Sequence, residues 1–379
     1  MKKLTINDRK ILRAIEQNLS NGKFVIFPYG KWGKRVQYLL NKKYGIQEIA
    51  IVDNGLAGKQ GGIISISDID RIKDADYVVL FATDNMDVYT ELLEQTQLFG
   101  ENLVCNIAEV EGGDGFFSMN SDRLSIEDCN SGQLKTIFDV TRQTWSQLGN
   151  TQPYWSVLTD RKYLLKNMGE EERQEFYRSG RKNCEAIVQT LVRNNIIQNR
   201  DKAKLLDITE IGCGTGRVTM HLAQTFRKVT ALDVSAGNMK IASAVVQNEN
   251  TSFQLVHGIE DYNSLPRTDI VYSIMVLQHN VPTVIEYILN AMLKSLNDGG
   301  VAIFQVPTYR EAYEFCFDEY MNDSSIGRME MHLLPQKKIF ETAYKNGCIP
   351  MEVYQDGFSG QDDFSCTFVM RKMAEKDVG

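Results

Sequence analysis

Two doubly wound α/β sheets joined by a helical segment are the fold that these 379 residues predict, and three observations carry it. Short apolar runs alternate with helix-like patterns in two separate stretches, which is how parallel strands covered on both faces by crossover helices read in sequence. Each stretch has a glycine-bearing turn straight after its first apolar run, at Gly30 and Gly33 and again at Gly212, Gly214 and Gly216. Between Glu111 and Ala203 the strand signal disappears and aromatic, helix-forming residues take over. The expected division is an N-terminal Rossmann-like domain over 1–112, a helical linker over 113–203 and a C-terminal domain over 204–379.

The length allows two domains, each with a sizeable core. A hydrophobic share of 43% and a charged share of 24% belong to a globular chain, and a net charge of −7 speaks against a nucleic-acid backbone as the partner. No stretch reads as a signal peptide or a membrane span, so a cytoplasmic location without membrane insertion is expected. Seven cysteines lacking a C-x-x-C pair fit reduced thiols. The four histidines, His221, His257, His279 and His332, show no ligand spacing with them, so no metal is expected.

In the first stretch Phe24–Phe27 reads as a strand, and Val36, Leu39 and Leu40 mark the buried face of the helix that follows. Ile49–Val52, Tyr77–Phe81 and Leu103–Ile107 read as further strands, the first of them closed by Asp53-Asn54-Gly55. The runs VIFPYGKWGKRV and IAIVDNG and the GKQGG turn resemble the Rossmann-like domains of bacterial sugar-modifying and polysaccharide-biosynthesis proteins. Pro28 stands where the first glycine of a dinucleotide fingerprint belongs, which speaks against NAD. Two roles stay open for this domain: binding a nucleotide sugar or an acceptor end, and a structural role that includes homodimer formation. Gly112-Gly113-Asp114-Gly115 then reads as a boundary turn.

The second stretch turns on LLDITEIGCGTGR, Leu205 to Arg217. A buried strand ends at Glu210 and Ile211 and bends through three glycines into a helix pattern, leaving bare backbone against which a small ligand can lie. The spacing is G-x-G-x-G with a carboxylate two residues ahead, not the G-x-G-x-x-G that seats a pyrophosphate on a helix N-terminus. After one helix and a short β-rich run comes Asp233, an acid at the end of the second strand, where nucleoside-binding α/β units hold ribose hydroxyls.

This order resembles motif I and its sequel in the class I S-adenosylmethionine-dependent methyltransferases, and DVSAGNM and VLQHN resemble the family's segments after its second and fourth strands. The resemblance implies a seven-stranded sheet with an antiparallel edge, here Met351–Tyr354 against Phe364–Met370. S-adenosylmethionine is the implied methyl donor and S-adenosylhomocysteine the product. Glu210, Gly212, Cys213, Gly214, Thr215, Gly216, Asp233, Val234 and Gln278 are the implied cofactor residues. The family's adenine-binding acid falls on Ile259, so Glu260, Asp261 or backbone must substitute, and Glu260 is taken for the role. The helical segment resembles the family's N-terminal lid, with Trp155 and Tyr177 either contacting the acceptor or packing the core.

A methyl on sulfonium is already electrophilic, so alignment and exclusion of water are most of the task. An alcohol acceptor also needs a base. His279, at the exit of the fourth strand, is the candidate, against a reading in which it orders the turn; His332 is a second candidate. The expected activity is methyl transfer to a small molecule, a hydroxyl of a saccharide or nucleotide sugar, with a natural-product acceptor as the alternative. An NAD(P)-dependent oxidoreductase and a non-catalytic nucleotide-binding protein are the readings of other classes.

Overall fold

The computed structural model describes residues 6–72, 76–110, 124–310, 313–323, 327–359 and 364–374. It divides into two compact units, Met1–Phe117 and Ser118–Gly379. The expected boundary turn at Gly112–Gly115 lies outside the described residues. Most of the helical segment placed over 113–203 belongs to the second unit.

The first unit contains α1 (Asp8–Gln17), β1 (Phe24–Phe27), α2 (Lys31–Tyr44), β2 (Ala50–Val52), β3 (Ile63–Ile64), β4 (Val78–Phe81), α3 (Met86–Gln95) and β5 (Leu103–Asn106). Its five strands are all parallel in the order β3-β2-β1-β4-β5. Every residue of β1 and β4 is buried, which is why both read as unbroken apolar runs. Phe27 packs edge-on to Phe99 at 5.6 Å between ring centroids, fixing the end of β1 under the crevice where strand order reverses.

The second unit adds β6 (Ser125–Ile126), α4 (Ser131–Thr151), α5 (Pro153–Val157), α6 (Glu170–Arg193), β7 (Asp207–Ile211), α7 (Thr219–Ala223), β8 (Lys228–Asp233), α8 (Ala236–Val245) and β9 (Thr251–Leu255). After these come β10 (Thr268–Ser273), α9 (Pro282–Ser295), β11 (Leu296–Tyr309), β12 (Glu314–Phe315), α10 (Phe317–Met321), α11 (Gln336–Lys345), β13 (Cys348–Gln355) and β14 (Phe364–Lys372). Seven strands form one sheet in the order β13-β14-β11-β10-β7-β8-β9, with β14 antiparallel to both neighbours. Order reverses between β7 and β10, so the crevice at their carboxyl ends is the natural ligand position.

Two local expectations are corrected. The helix expected to stop at Asp298-Gly299-Gly300 ends at Ser295, and β11 runs through those residues because Leu296 already pairs with Thr268 and a register shift absorbs the glycine turn. The stretch Glu311–Met321, expected to be helical, is helical only from Phe317. Glu311 and Ala312 lie outside the described residues, while Glu314 and Phe315 pair in parallel with Ser125 and Ile126. Here backbone pairing overrides local helix preference.

Helices brace the crevice from two sides. Asn130 and Gln133 form a capping box that starts α4, and Gly149 near its end lets α4 approach α8 closely: a Cβ there would lie 2.0 Å from the Ser235 hydroxyl. On the other side α6 meets the turn after β7 at Gly180, where a Cβ would lie 2.0 Å from the Arg217 carbonyl oxygen. The obstacle is backbone and cannot rotate away. Gly180→Val is therefore expected to force α6 off that turn and destabilise the protein by about 2 kcal/mol or more, read as a lower urea midpoint; an unchanged midpoint would refute the close packing.

Candidate functional site

A cavity of about 970 Å³, counted out to its mouth, opens at the carboxyl ends of β7 and β10. Its floor is the glycine turn. Gly212 and Gly214 adopt φ of +78° and +55°, and a Cβ would lie 2.3 Å from Val276 at the first and 2.6 Å from Val157 at the second. Both the left-handed backbone and the crowding demand glycine. Gly216 instead packs on Ala242 and Val246 of the α8 segment and does not line the cavity.

Asp233 closes β8 and faces the cavity. Its Oδ2 accepts the Gly214 N–H and its Oδ1 the Ser235 N–H, both at 2.8 Å, so one carboxylate ties the glycine turn to the start of α8. Burial pushes its pKa up, opposed by these hydrogen bonds. Val234 and Asn238 continue this wall, and Cys213 lies beside it with its thiol pushed well up by burial, inert as a nucleophile.

Glu210, near the end of β7, also lines the cavity; it is 3% exposed and accepts the Thr219 hydroxyl at 2.6 Å. Burial raises its carboxyl to about 7, against the pull of the Arg217 charge. Arg217 also lines the cavity. Its Nη1 donates to Asn183 at 3.0 Å and Ser179 at 3.2 Å, while its buried Nε has no partner among the described residues. A buried carboxyl and a buried guanidinium with spare donor capacity therefore both line the cavity and feel each other's charge.

The roof comes from α4 and α5 through Phe138, Thr141, Trp145, Ser156 and Val157. Trp145 lies 4.8 Å from the His279 ring, tilted by 55°. His279 Nδ1 is 2.8 Å from the Glu330 carbonyl oxygen, which only accepts, so the proton sits on Nδ1 and the Nε2 lone pair accepts a long hydrogen bond from the Gln278 amide at 3.3 Å. Burial pushes His279 down to about 4, so it is neutral near pH 7. His332 lies outside the lining and is bound on both nitrogens, by the Tyr313 hydroxyl at 2.7 Å and the Glu330 carboxylate at 3.0 Å.

Of the residues singled out from sequence, the structure brings Glu210, Gly212, Cys213, Gly214, Asp233, Val234 and His279 together around the cavity. Besides Gly216 and His332, described above, five others it places elsewhere. Glu260 is exposed and off the lining, because Asp261 turns back to accept the N–H groups of His257 and Gly258 and leaves Glu260 facing solvent. Gln278 is buried behind the wall, bonded to Gln305 at 2.9 Å. Thr215 is buried beneath the turn, and Tyr177 supports it from behind, donating to the Thr215 carbonyl at 3.2 Å. Trp155 gives way to Ser156 and Val157, its neighbours on α5. Asn183, Arg217, Tyr272 and Trp145 line the cavity without having been assigned; Arg217, directly after the last glycine, carried the one sequence signal that was available.

Residues 208–300, about a quarter of the chain, match the family model described as a methyltransferase domain. The chain is similar to the ubiquinone biosynthesis O-methyltransferase of Rickettsia akari (strain Hartford), 35% identical over 28% of this chain and 41% of that protein. It is also similar to the enzyme of the same name from Rickettsia conorii (strain ATCC VR-613 / Malish 7), 31% identical over 26% of this chain and 34% of that protein. The chain thus spans less than half the length of the curated relatives it matches. Among solved structures it is similar to the magnesium protoporphyrin IX methyltransferase of Synechocystis PCC 6803 with bound SAH, at 17% identity and a TM-score of 0.42, covering 61% of this chain and 99% of that one. The matched residues run from β7 through the glycine turn and Asp233 to the start of β11, the part of the second unit that forms the floor of the cavity.

Proposed function

We propose that the protein transfers a methyl group from S-adenosylmethionine to a hydroxyl of a small acceptor. The observation that carries this reading is the cradle itself: at Gly212 and Gly214 any side chain would crowd the turn beside a half-buried carboxylate, Asp233, at the end of β8. The donor set fits the ligand. When bound, S-adenosylmethionine supplies a methyl already activated by a sulfonium. The residues do the rest. Asp233 receives ribose hydroxyls, Glu210 faces positive charge, and Arg217 with Asn183 receives a carboxylate. Phe138, Trp145 and Val157 keep water from the reacting atoms. His279 accepts the hydroxyl proton at Nε2, the acceptor hydroxyl taking the place of the long Gln278 contact.

The acceptor in this reading is a saccharide or nucleotide-sugar hydroxyl, on the resemblance of the first unit to sugar-pathway domains. A phenolic or other natural-product acceptor is the second reading. It is favoured by the Trp145 ring beside His279, a face on which an aromatic acceptor would stack, and by the similarity to the Rickettsia ubiquinone biosynthesis O-methyltransferases. Radiolabelled methyl transfer to parallel panels of sugars, nucleotide sugars and catechols separates them. Label in the catechols alone would discard the saccharide; S-adenosylhomocysteine failing to bind at all would discard the donor.

The raised carboxyl of Glu210 has a consequence for binding. In the free protein it holds its proton up to about pH 7, whereas facing a cation it must be ionised. Binding therefore releases a proton, and affinity for S-adenosylmethionine is expected to rise by up to about tenfold per pH unit below 7, then level off. Calorimetry in buffers of different ionisation enthalpy measures the proton directly; no release at pH 6 would remove Glu210 from the site. With no ligand the sign for stability is opposite, since a carboxyl whose folded pKa is raised contributes stability below its unfolded value that is lost as pH rises through about 7.

A further inference from the structure

The first unit has a cleft of its own. It opens at the carboxyl ends of β1 and β4, where strand order reverses, and measures about 1040 Å³ out to its mouth. Asp53, directly after β2, lines it. Its Oδ2 accepts the Tyr29 N–H at 3.0 Å, and its Oδ1 accepts those of Gly55 at 2.9 Å and Leu56 at 3.0 Å. Asp233 is held in the same way, Oδ2 by the turn that leaves β7 and Oδ1 by the N–H two residues further on. In the large sheet of each unit an acid at the end of the second strand in chain order clamps the turn after the first and faces a cavity at the reversal point.

We propose that this second crevice binds a ribonucleoside moiety, with a ribose hydroxyl received by Asp53. The proposal rests on the reading of Asp233 as the ribose-holding group, carried across by the matching geometry. A carboxylate offers about four acceptor positions, and three backbone donors leave Asp53 one. Pro28, Trp32, Val88 and Leu92 supply apolar wall for a base. The Trp32 indole N–H is buried without a partner among the described residues, a donor that a ligand oxygen would satisfy. Around the cleft Asp53, Asp84 and Glu91 face Lys31, the one cation among its described lining residues. That balance accepts a nucleoside with no phosphate or one and repels a polyphosphate chain. Asn54 keeps the wall in place, accepting the Ile66 N–H at 2.9 Å and donating to Gln95 at 3.0 Å.

The test uses the whole protein saturated with S-adenosylhomocysteine, so that the crevice of the second unit is filled. Adenosine, guanosine, cytidine and uridine, their 5′-mono- and triphosphates and their 2′-deoxy forms are titrated by saturation-transfer NMR and calorimetry. At least one ribonucleoside is expected to bind with Kd below about 1 mM, its 2′-deoxy form about tenfold or more weakly, and its triphosphate more weakly than its monophosphate. Asp53→Asn is expected to remove this binding and leave S-adenosylhomocysteine affinity unchanged. No binding by any of the set, or equal binding of the deoxy form, overturns the proposal, and the deoxy comparison needs no variant to fold. S-adenosylhomocysteine affinity is measured first. If it is absent the methyl-donor reading falls, and ribonucleoside titrations of wild type against Asp53→Asn still decide this one.

Discussion

Asp233→Ala is expected to weaken S-adenosylhomocysteine binding by roughly 30- to 1,000-fold, about 2–4 kcal/mol, as two hydroxyl hydrogen bonds to a charged acceptor are lost. Part of the effect is indirect. The carboxylate holds the Gly214 and Ser235 N–H groups at 2.8 Å each, so its loss also loosens the turn whose bare backbone forms the floor. Global stability is expected to change far less, because removing a half-buried carboxyl whose ionised form is disfavoured by its surroundings offsets the orphaned N–H groups. Calorimetric titration and urea unfolding of the same sample separate the two. Asp233→Asn keeps an acceptor for one of the two N–H groups and is expected to fall between. Unchanged affinity in the alanine variant would mean that the nucleoside does not lie along β8.

Which parts of this site were legible follows from how local their causes are. A glycine forced by φ of +78° beside Val276 shows itself in sequence, because no other residue survives there. Asp233 was legible for a similar reason: it closes a short strand at a fixed distance from the turn it clamps. The strands were readable where both faces are buried, as in β1, β4 and β7, and least so where pairing partners lie far off in sequence, as with Glu314 and Phe315 against Ser125 and Ile126. Glu260 misled because three neighbouring positions, Ile259, Glu260 and Asp261, project differently from one helical turn. Only the structure shows that Ile259 is core, Asp261 a cap and Glu260 solvent-facing. Trp145 and Trp155 are equally apolar in sequence, and the helix break at Gln152 and Pro153 decides which of them meets the cavity. Asn183 was hidden for another reason. A polar residue on a long helix reads as surface until the tertiary partner, here Arg217 at 3.0 Å, is known.

His279→Ala is expected to lower kcat by about 10²- to 10⁴-fold, the usual contribution of a positioned base, with S-adenosylhomocysteine affinity changed less than about threefold. The base reading and the reading in which His279 merely orders the turn part company here. The imidazole is held by the Glu330 carbonyl at 2.8 Å and lies against Trp145 at 4.8 Å, so a purely structural role would lower affinity and stability along with rate. The pH profile adds a second criterion. Protonated His279 has no lone pair at Nε2, and burial holds its pKa at about 4, so the acid limb contributed by this group belongs near 4 and not at the 6.5 of a free imidazole. The sign for stability runs the same way. A histidine whose folded pKa is depressed contributes stability above its unfolded value, and that is lost as pH falls from 6.5 towards 4. Ligand binding must therefore be measured at each pH, so that rate lost to unfolding is not counted as rate lost to protonation. A limb near 6.5 with binding intact would place the proton acceptor on a different, more exposed group, and Trp145→Leu, which leaves every titrating side chain in place, would then leave that limb where it is.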